Sequence, residues 1–316
     1  MASAQAEDGS FPTGSSLSLS LDGKNTSTTF YVIRSFTPFT QGQVYFVKSD
    51  PDSGFPRELI LKVYDPKFLD DRRLEPYEPW TLAAESLVVQ KWEQGQISSD
   101  FNIFDLDDDV EMESWHWEAQ LFCSSERSFR TEVAAYKRLL KMQGQFIPEF
   151  YGCGRLLPTP PESRAIQPRA ILIEYIPGVT LRDVDHMLVH PELYRPLMGA
   201  VACFDSLGVN HYDINANNIM LAPPKAPKRM VIIDFGFAGV RQEGMTEEEW
   251  GNGLKGDVGL LRISLEKKLG IKLDNVGDMM ADDGDHDGLR FVLSQKCGPY
   301  LSAFFSFFSR LRRKRV

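Results

Sequence analysis

The sequence predicts an α+β chain of two unlike lobes: a small, antiparallel, strand-rich N-terminal lobe with one main helix, and a mostly helical C-terminal lobe. Three observations lead there. Short alternating apolar runs separated by turn residues crowd into positions 17–64. One amphipathic helical pattern, SERSFRTEVAAYKRLLKM (125–142), follows them only after a long interval. Beyond position 178 the spacing is mainly helical, interrupted by one pair of short strands. With 316 residues, 42% of them hydrophobic, the chain is long enough to bury a core of this kind.

The elements follow in chain order. Residues 1–15 are small, polar and rich in Ser and Gly, and read as a disordered tail. The N-terminal lobe then spans 16–170. Its strands are LSLSL (17–21), FYVIRSF (30–36), GQVYFVKS (42–49) and ELILKVY (58–64), each alternating and each bounded by turn residues. Residues 66–124 form a long acidic insert. It opens with a charged, proline-rich stretch, holds a candidate helix at 82–94, and ends in FNIFDLDDDVEMES (101–114), a charge run expected to be a solvated loop. In the helix at 125–142, positions 129, 133, 136, 139 and 140 are apolar, and Gly144 stands as its stop. The C-terminal lobe is placed at 171–316. It starts with ILIEYIPG (171–178), a buried strand running into a turn, and pairs short strands around NIML (218–221) and MVIID (230–234).

Composition narrows the function. A formal net charge of −9 argues against nucleic acid as a partner, because neutralising phosphates needs a basic surface. Four scattered cysteines without metal-ligand spacing point away from a disulfide framework and toward a reducing compartment. The N-terminus has no charged-then-apolar leader pattern, and no stretch is apolar over the length needed to span a bilayer. The expected location is therefore intracellular, cytoplasmic or nuclear.

The chemistry sits in HYDINANN (211–218) followed by VIIDFG (231–236). The first fits H-x-D-x-x-x-x-N, with Asn218 five residues after Asp213. The second is an apolar strand ending in Asp-Phe-Gly. Average residue frequencies put both patterns, in this order, in roughly one unrelated chain of this length in a thousand. Phosphoryl transfer explains the residue types, since it asks a protein mainly to position a nucleophile, hold a metal and neutralise charge. Asp213 can accept or orient the proton of an acceptor hydroxyl. Asn218 and Asp234 offer hard oxygens suited to Mg²⁺. Gly236 lets the backbone turn sharply enough for Asp234 to face phosphates.

With these motifs the chain resembles the protein kinase-like superfamily, over roughly 28–64 and 125–270, and in its IPEFYG and HYDI segments it is similar to atypical kinase-like proteins of fungal genomes. The resemblance implies ATP and Mg²⁺ as cofactors, bound between the lobes. It makes Lys62, at the end of LILK, the phosphate-pairing lysine and Glu132 its partner, with Glu126 the competitor for that role. It puts Gly42 and Val44 over the phosphates. Ile173 borders the adenine pocket, backbone groups near Glu174 and Ile176 bond the base, and Asp257 braces the catalytic loop.

The sequence departs from the family in four places. The phosphate-covering loop SFTPFTQGQV (35–44) keeps one glycine, Gly42, and so fewer amides that can approach phosphates closely. Tyr212 stands where protein kinases carry an Arg, and Asn215 where they carry a Lys. No A-P-E follows the Asp-Phe-Gly, and only 59 residues follow Asp257. Two readings result. One is a phosphotransferase moving the γ-phosphoryl group to a hydroxyl acceptor, protein or small molecule. The alternative is a pseudokinase-like nucleotide-binding or scaffolding module without turnover. Elsewhere, DDGDHDG (282–288) lacks the Glu that a calcium loop needs at its twelfth position. The tail YLSAFFSFFSRLRRKRV (300–316) reads as an aromatic helix with a basic end, open to a core, membrane or partner role.

Overall fold

The computed structural model describes residues 11–273, apart from 25, 75–76, 108–110, 161–162, 252 and 254–255. The calcium-like run at 282–288 and the C-terminal tail lie outside the described residues. The chain parts into two compact units, one of residues 1–133 with 149–175 and one of 134–148 with 176–316. The expected boundary at 170 thus moves to 175, because the strand that starts at 169 belongs to the first unit's sheet.

That unit is a closed antiparallel barrel in the order β1-β2-β3-β4-β6-β5. Its strands are β1 (Ser16–Leu21), β2 (Ser27–Phe36), β3 (Gln43–Ser49), β4 (Glu58–Tyr64), β5 (Phe150–Leu156) and β6 (Arg169–Glu174). β1 closes it by pairing Leu19 with Leu156. Alternation sends Leu17, Leu19, Phe30, Val32, Tyr45, Val47, Leu59, Leu61 and Val63 into one buried core. On β4 the same alternation turns Lys62 and Tyr64 to the outer face. Residues 11–15, expected as tail, instead join the barrel: Gly14 N donates to Val32 O (2.8 Å) and Val32 N to Ser15 O (2.9 Å).

Two helices accompany the barrel, not one. α1 (Leu82–Glu93) is capped by Thr81, whose Oγ1 accepts from Ala84 N at 3.1 Å. α2 runs from Ser114 to Arg138, so the helix expected at 125–142 starts well inside the insert and ends earlier. The insert is held by packing. Val88, Ile97, Ala119 and Cys123 form a second core with Trp92, Phe101, Trp115 and Phe122 around it. Even the acidic run is anchored: Ile103 is buried, and its N–H donates to Gln120 Oε1 (3.0 Å). A buried charge cluster fastens the insert's start to the β5–β6 connection. Arg164 reaches both oxygens of Asp65 (2.6 and 2.7 Å) and Oε2 of Glu85 (2.8 Å), all three side chains nearly closed to solvent.

In the second unit, α3 (Pro191–Ala202) packs against α5 (Asp257–Leu269), with Leu197, Val201, Leu261 and Leu265 buried. β7 (Val179–Thr180), β9 (Ile219–Ala222) and β10 (Arg229–Ile232) make a three-stranded sheet. β8 (Val209–Asn210) pairs with β11 (Gly239–Val240), and α4 (Glu247–Gly251) follows. Between β8 and β9, and directly after β10, lie the two motifs singled out in the sequence. Among the described residues no helix is long and apolar enough to cross a membrane.

Candidate functional site

The expected site residues fall into two groups, one in each unit. In the first, β4 and α2 bring together residues seventy positions apart. Lys62 Nζ lies 2.7 Å from Glu132 Oε2, with side chains 5% and 0% exposed. The Tyr64 hydroxyl, two residues on along the same strand face, donates to the same oxygen. Glu132 Oε1 has no partner among the described residues. Glu126, the competing candidate, pairs instead with Arg169 (3.1 Å). A buried ion pair of this kind costs desolvation of both ions, so it is a weak device for stability and a good one for fixing an ammonium in place.

Gly42 lies against this lysine. A Cβ there would meet Val63 O at 3.1 Å and Lys62 Cε at 3.2 Å, so a side chain at this position would press on the Lys62 stem. Val44 sits opposite Lys62 on β3. The loop is anchored differently from a glycine-rich one: Phe39 is buried in the barrel core, its ring 5.6 Å from Tyr45. Ile173 and Glu174 end β6, where Glu174 N donates to Glu149 O (2.8 Å) and Glu174 Oε2 accepts from Glu149 N (3.2 Å). The Glu174 N–H is thereby spent on Glu149.

The second unit holds Ile176, Asp213, Asn218 and Asp234. Ile176 packs with Ala222 and Val231, and its carbonyl accepts from Gly178 N at 2.8 Å. The loop at 211–218 is braced from below by Asp257, whose Oδ2 accepts from His211 N (2.6 Å) and Oδ1 from Tyr212 N (3.0 Å). Asp257 is the first residue of α5, and its carboxylate serves the loop. The His211 ring is fully buried; its Nδ1 accepts from Asp213 N (3.3 Å), so Nε2 carries the proton and donates to Ile233 O (3.0 Å). One imidazole thus ties the loop to the strand that delivers Asp234.

Two asparagines aim Asp213. Asn218 Nδ2 donates to its Oδ2 and to its backbone oxygen, both at 2.9 Å, and Asn215 Nδ2 donates to its Oδ1 at 2.8 Å. Asn215, counted from sequence only as a missing lysine, is an uncharged donor to the candidate base. Short-range Asx geometry was the signal for it: its Oδ1 also accepts from Asn217 N (2.9 Å). With its nitrogen committed, Asn218 presents Oδ1 unpaired among the described residues. Ile233 N donates to the Asn218 backbone oxygen (3.0 Å), which ties the end of this loop to the residue before Asp234.

The sharp turn itself is taken by Asp234 (φ 67°), so the conformational role expected of Gly236 falls on the aspartate. Gly236 N donates to Asp234 Oδ1 at 3.3 Å. Buried Phe235 secures the strained residue, with Tyr136, Phe204 and His211 around its ring at 5.5, 6.0 and 4.7 Å. Tyr212 is the other non-glycine residue with a left-handed backbone among the described residues (φ 63°) and lies over Gly239, where a Cβ would come within 2.6 Å of its ring. The short segment after the turn is therefore pinned by β11 and by Arg241, whose guanidinium bonds Met245 O (2.7 Å).

No family model and no curated protein matches the sequence. Among solved structures, the chain is similar to the PknI kinase domain of Mycobacterium tuberculosis, at 17% identity and a TM-score of 0.39, over 90% of this chain and 91% of that one. It is also similar to the Rio2 kinase of Chaetomium thermophilum in its ADP/Mg²⁺–phosphoaspartate complex, at 16% identity and 0.39, over 90% of this chain and 73% of that one. Both neighbours are kinase domains. At these values the likeness decides nothing about what this chain binds, and the site residues have to carry that question.

Proposed function

We propose that this chain is an ATP- and Mg²⁺-dependent phosphotransferase of the kinase-like type, moving the γ-phosphoryl group to a hydroxyl acceptor. The observation that carries the reading is Asn218: its side-chain nitrogen holds Asp213, its backbone is bonded to Ile233, the residue before Asp234, and its side-chain oxygen is a hard donor of the kind Mg²⁺ takes. Asn218 and Asp234 are the natural ligands of a magnesium ion, which when bound neutralises charge on the transferring group. Asp213 takes the proton of the acceptor hydroxyl as the new P–O bond forms and the bond to the departing ADP oxygen breaks. Lys62, fixed by Glu132, serves the phosphates. Gly42 and Val44 cover them, Ile173 lines the adenine site, and backbone groups near Glu174 and Ile176 meet the base edge. The segments IPEFYG and HYDI favour an affinity with the fungal kinase-like proteins. The short, pinned segment after Asp234 leaves little platform for an extended peptide and favours a small-molecule acceptor or a protein one gripped elsewhere.

Two observations favour the second reading, nucleotide binding without turnover. Asn215 brings no charge to the position of the family's lysine, and Phe39 anchors the covering loop in the barrel. ADP release from purified protein with ATP and Mg²⁺, over protein and small-molecule acceptors, separates the two. Turnover that disappears in Asp213→Asn and Asp234→Ala supports transfer. Nucleotide binding with turnover no greater than in those variants supports the binding module.

A further inference from the structure

The first unit contains a cavity of about 390 Å³ between α1, α2 and the β5–β6 edge. It belongs to none of the groups described above. Its walls are half apolar, built around Trp92 and Phe122, whose rings meet edge-on at 5.3 Å, and half polar. The volume falls in the range of pockets for small organic ligands.

Two features of the lining point to an anion. Arg155 of β5 faces the cavity, partly buried, and makes no side-chain hydrogen bond or ion pair among the described residues. Ser125 of α2, 2% exposed, lines the same space with a hydroxyl that has no partner. A buried hydroxyl without a partner is costly unless something occupies the space it faces, and Arg155 lines the same space with a charge open to a ligand. The charges set the valence. Arg130, Arg155 and Arg169 stand against Glu93 and Glu126, a surplus of 3 − 2 = 1 positive charge. Arg169 (3.1 Å) and Arg130 (3.7 Å) are already paired with Glu126, which leaves Arg155 as the group open to a ligand. We propose that this cavity binds a small aromatic carboxylate, with its ring packed against the wall that Trp92 and Phe122 form together and its carboxylate on Arg155 and Ser125.

The cavity is wired to the lysine pair. The Tyr64 ring is part of its wall, and the Tyr64 hydroxyl donates to the Glu132 oxygen that Lys62 also grips. Ser125 lies seven residues before Glu132 on α2, two turns away on the same helix face. A ligand here bears on the position of Glu132, and the site is an effector site for nucleotide binding. That second part rests on the reading of Lys62 given above.

Indole-3-acetate and its neutral amide are suitable probes, with calorimetry on the full chain as the readout. The acid should bind at least roughly tenfold more tightly than the amide, and Arg155→Gln should erase the difference. The Arg155 side chain bonds no other side chain among the described residues, so unchanged circular dichroism and melting accompany the variant; Trp92→Leu provides a second, uncharged test and should weaken acid and amide alike. Equal binding of acid and amide, or binding indifferent to both substitutions, overturns the site. Saturating acid should change ATP affinity by about fivefold, and Tyr64→Phe should keep acid binding while abolishing that change. Arg155-dependent binding with no effect on ATP affinity overturns the coupling. A protein that binds the acid but no nucleotide refutes the reading of Lys62 and leaves the cavity's ligand established.

Discussion

The two units handle charge in opposite ways. In the first, Arg164, Asp65, Glu85, Lys62 and Glu132 are buried and closed on one another, and the carboxylates are surrounded by cations and amides. In the second, Asp213, Asn218 and Asp234 are only partly buried, and Asp213 is held by the side-chain amides of Asn215 and Asn218, with no cation bonded to it among the described residues. Saturation marks a charge used to hold the chain together. An acid aimed by neutral donors, with a spare oxygen beside it, marks one held ready for something that arrives. Lys62 stands between the two cases: it is paired like a structural ion, yet its partner keeps one oxygen without a bond.

Substitutions break this contrast in a graded way. The largest effect belongs to the second unit: Asp213→Asn should lower turnover by about 10²- to 10⁴-fold, as loss of a general base does, while urea unfolding barely changes. An Asp213→Asn protein with near-native turnover would remove Asp213 from the chemistry. In the first unit the pattern inverts. Arg164→Met leaves Asp65 and Glu85 buried without a counter-ion and should cost about 3–5 kcal/mol in urea unfolding. A cost below about 1 kcal/mol would mean the cluster is not what fastens the insert. Asp257→Ala is intermediate. It strips two backbone N–H groups of their acceptor, at a cost of about 1–3 kcal/mol, and loosens the loop, so turnover should fall with ATP affinity nearly intact. The smallest change is Gly239→Ala, which displaces the Tyr212 ring. The ring is partly exposed and can yield, so melting should shift by only a few degrees, corresponding to about 1 kcal/mol or less.

The same contrast governs what the sequence makes legible. Strands β1 to β4 follow from alternation alone, because each has one face on the barrel core. Asp213, Asn218 and Asp234 are close together in sequence, so their motifs announce them. Lys62 and Glu132 required the family pattern, being seventy positions apart. The Arg164–Asp65–Glu85 cluster spans 99 and 79 positions and has no local periodicity to betray it. The start of α2 was hidden for a related reason: SWHWEAQLFCS (114–124) packs its aromatics against α1, a partner that only the fold supplies. Asn215 looked like a loss because a family comparison sees the missing lysine charge and not the new hydrogen bond to Asp213.

The most direct test of the central claim is ATP affinity measured by calorimetry with and without Mg²⁺, in the wild type and in an Asn218→Ala, Asp234→Ala double variant. If those two side chains hold the metal, Mg²⁺ strengthens ATP binding in the wild type, and the gain vanishes in the variant while metal-free binding persists. A Mg²⁺ effect of the same size in both proteins, or ATP binding indifferent to Mg²⁺ in the wild type, would contradict it.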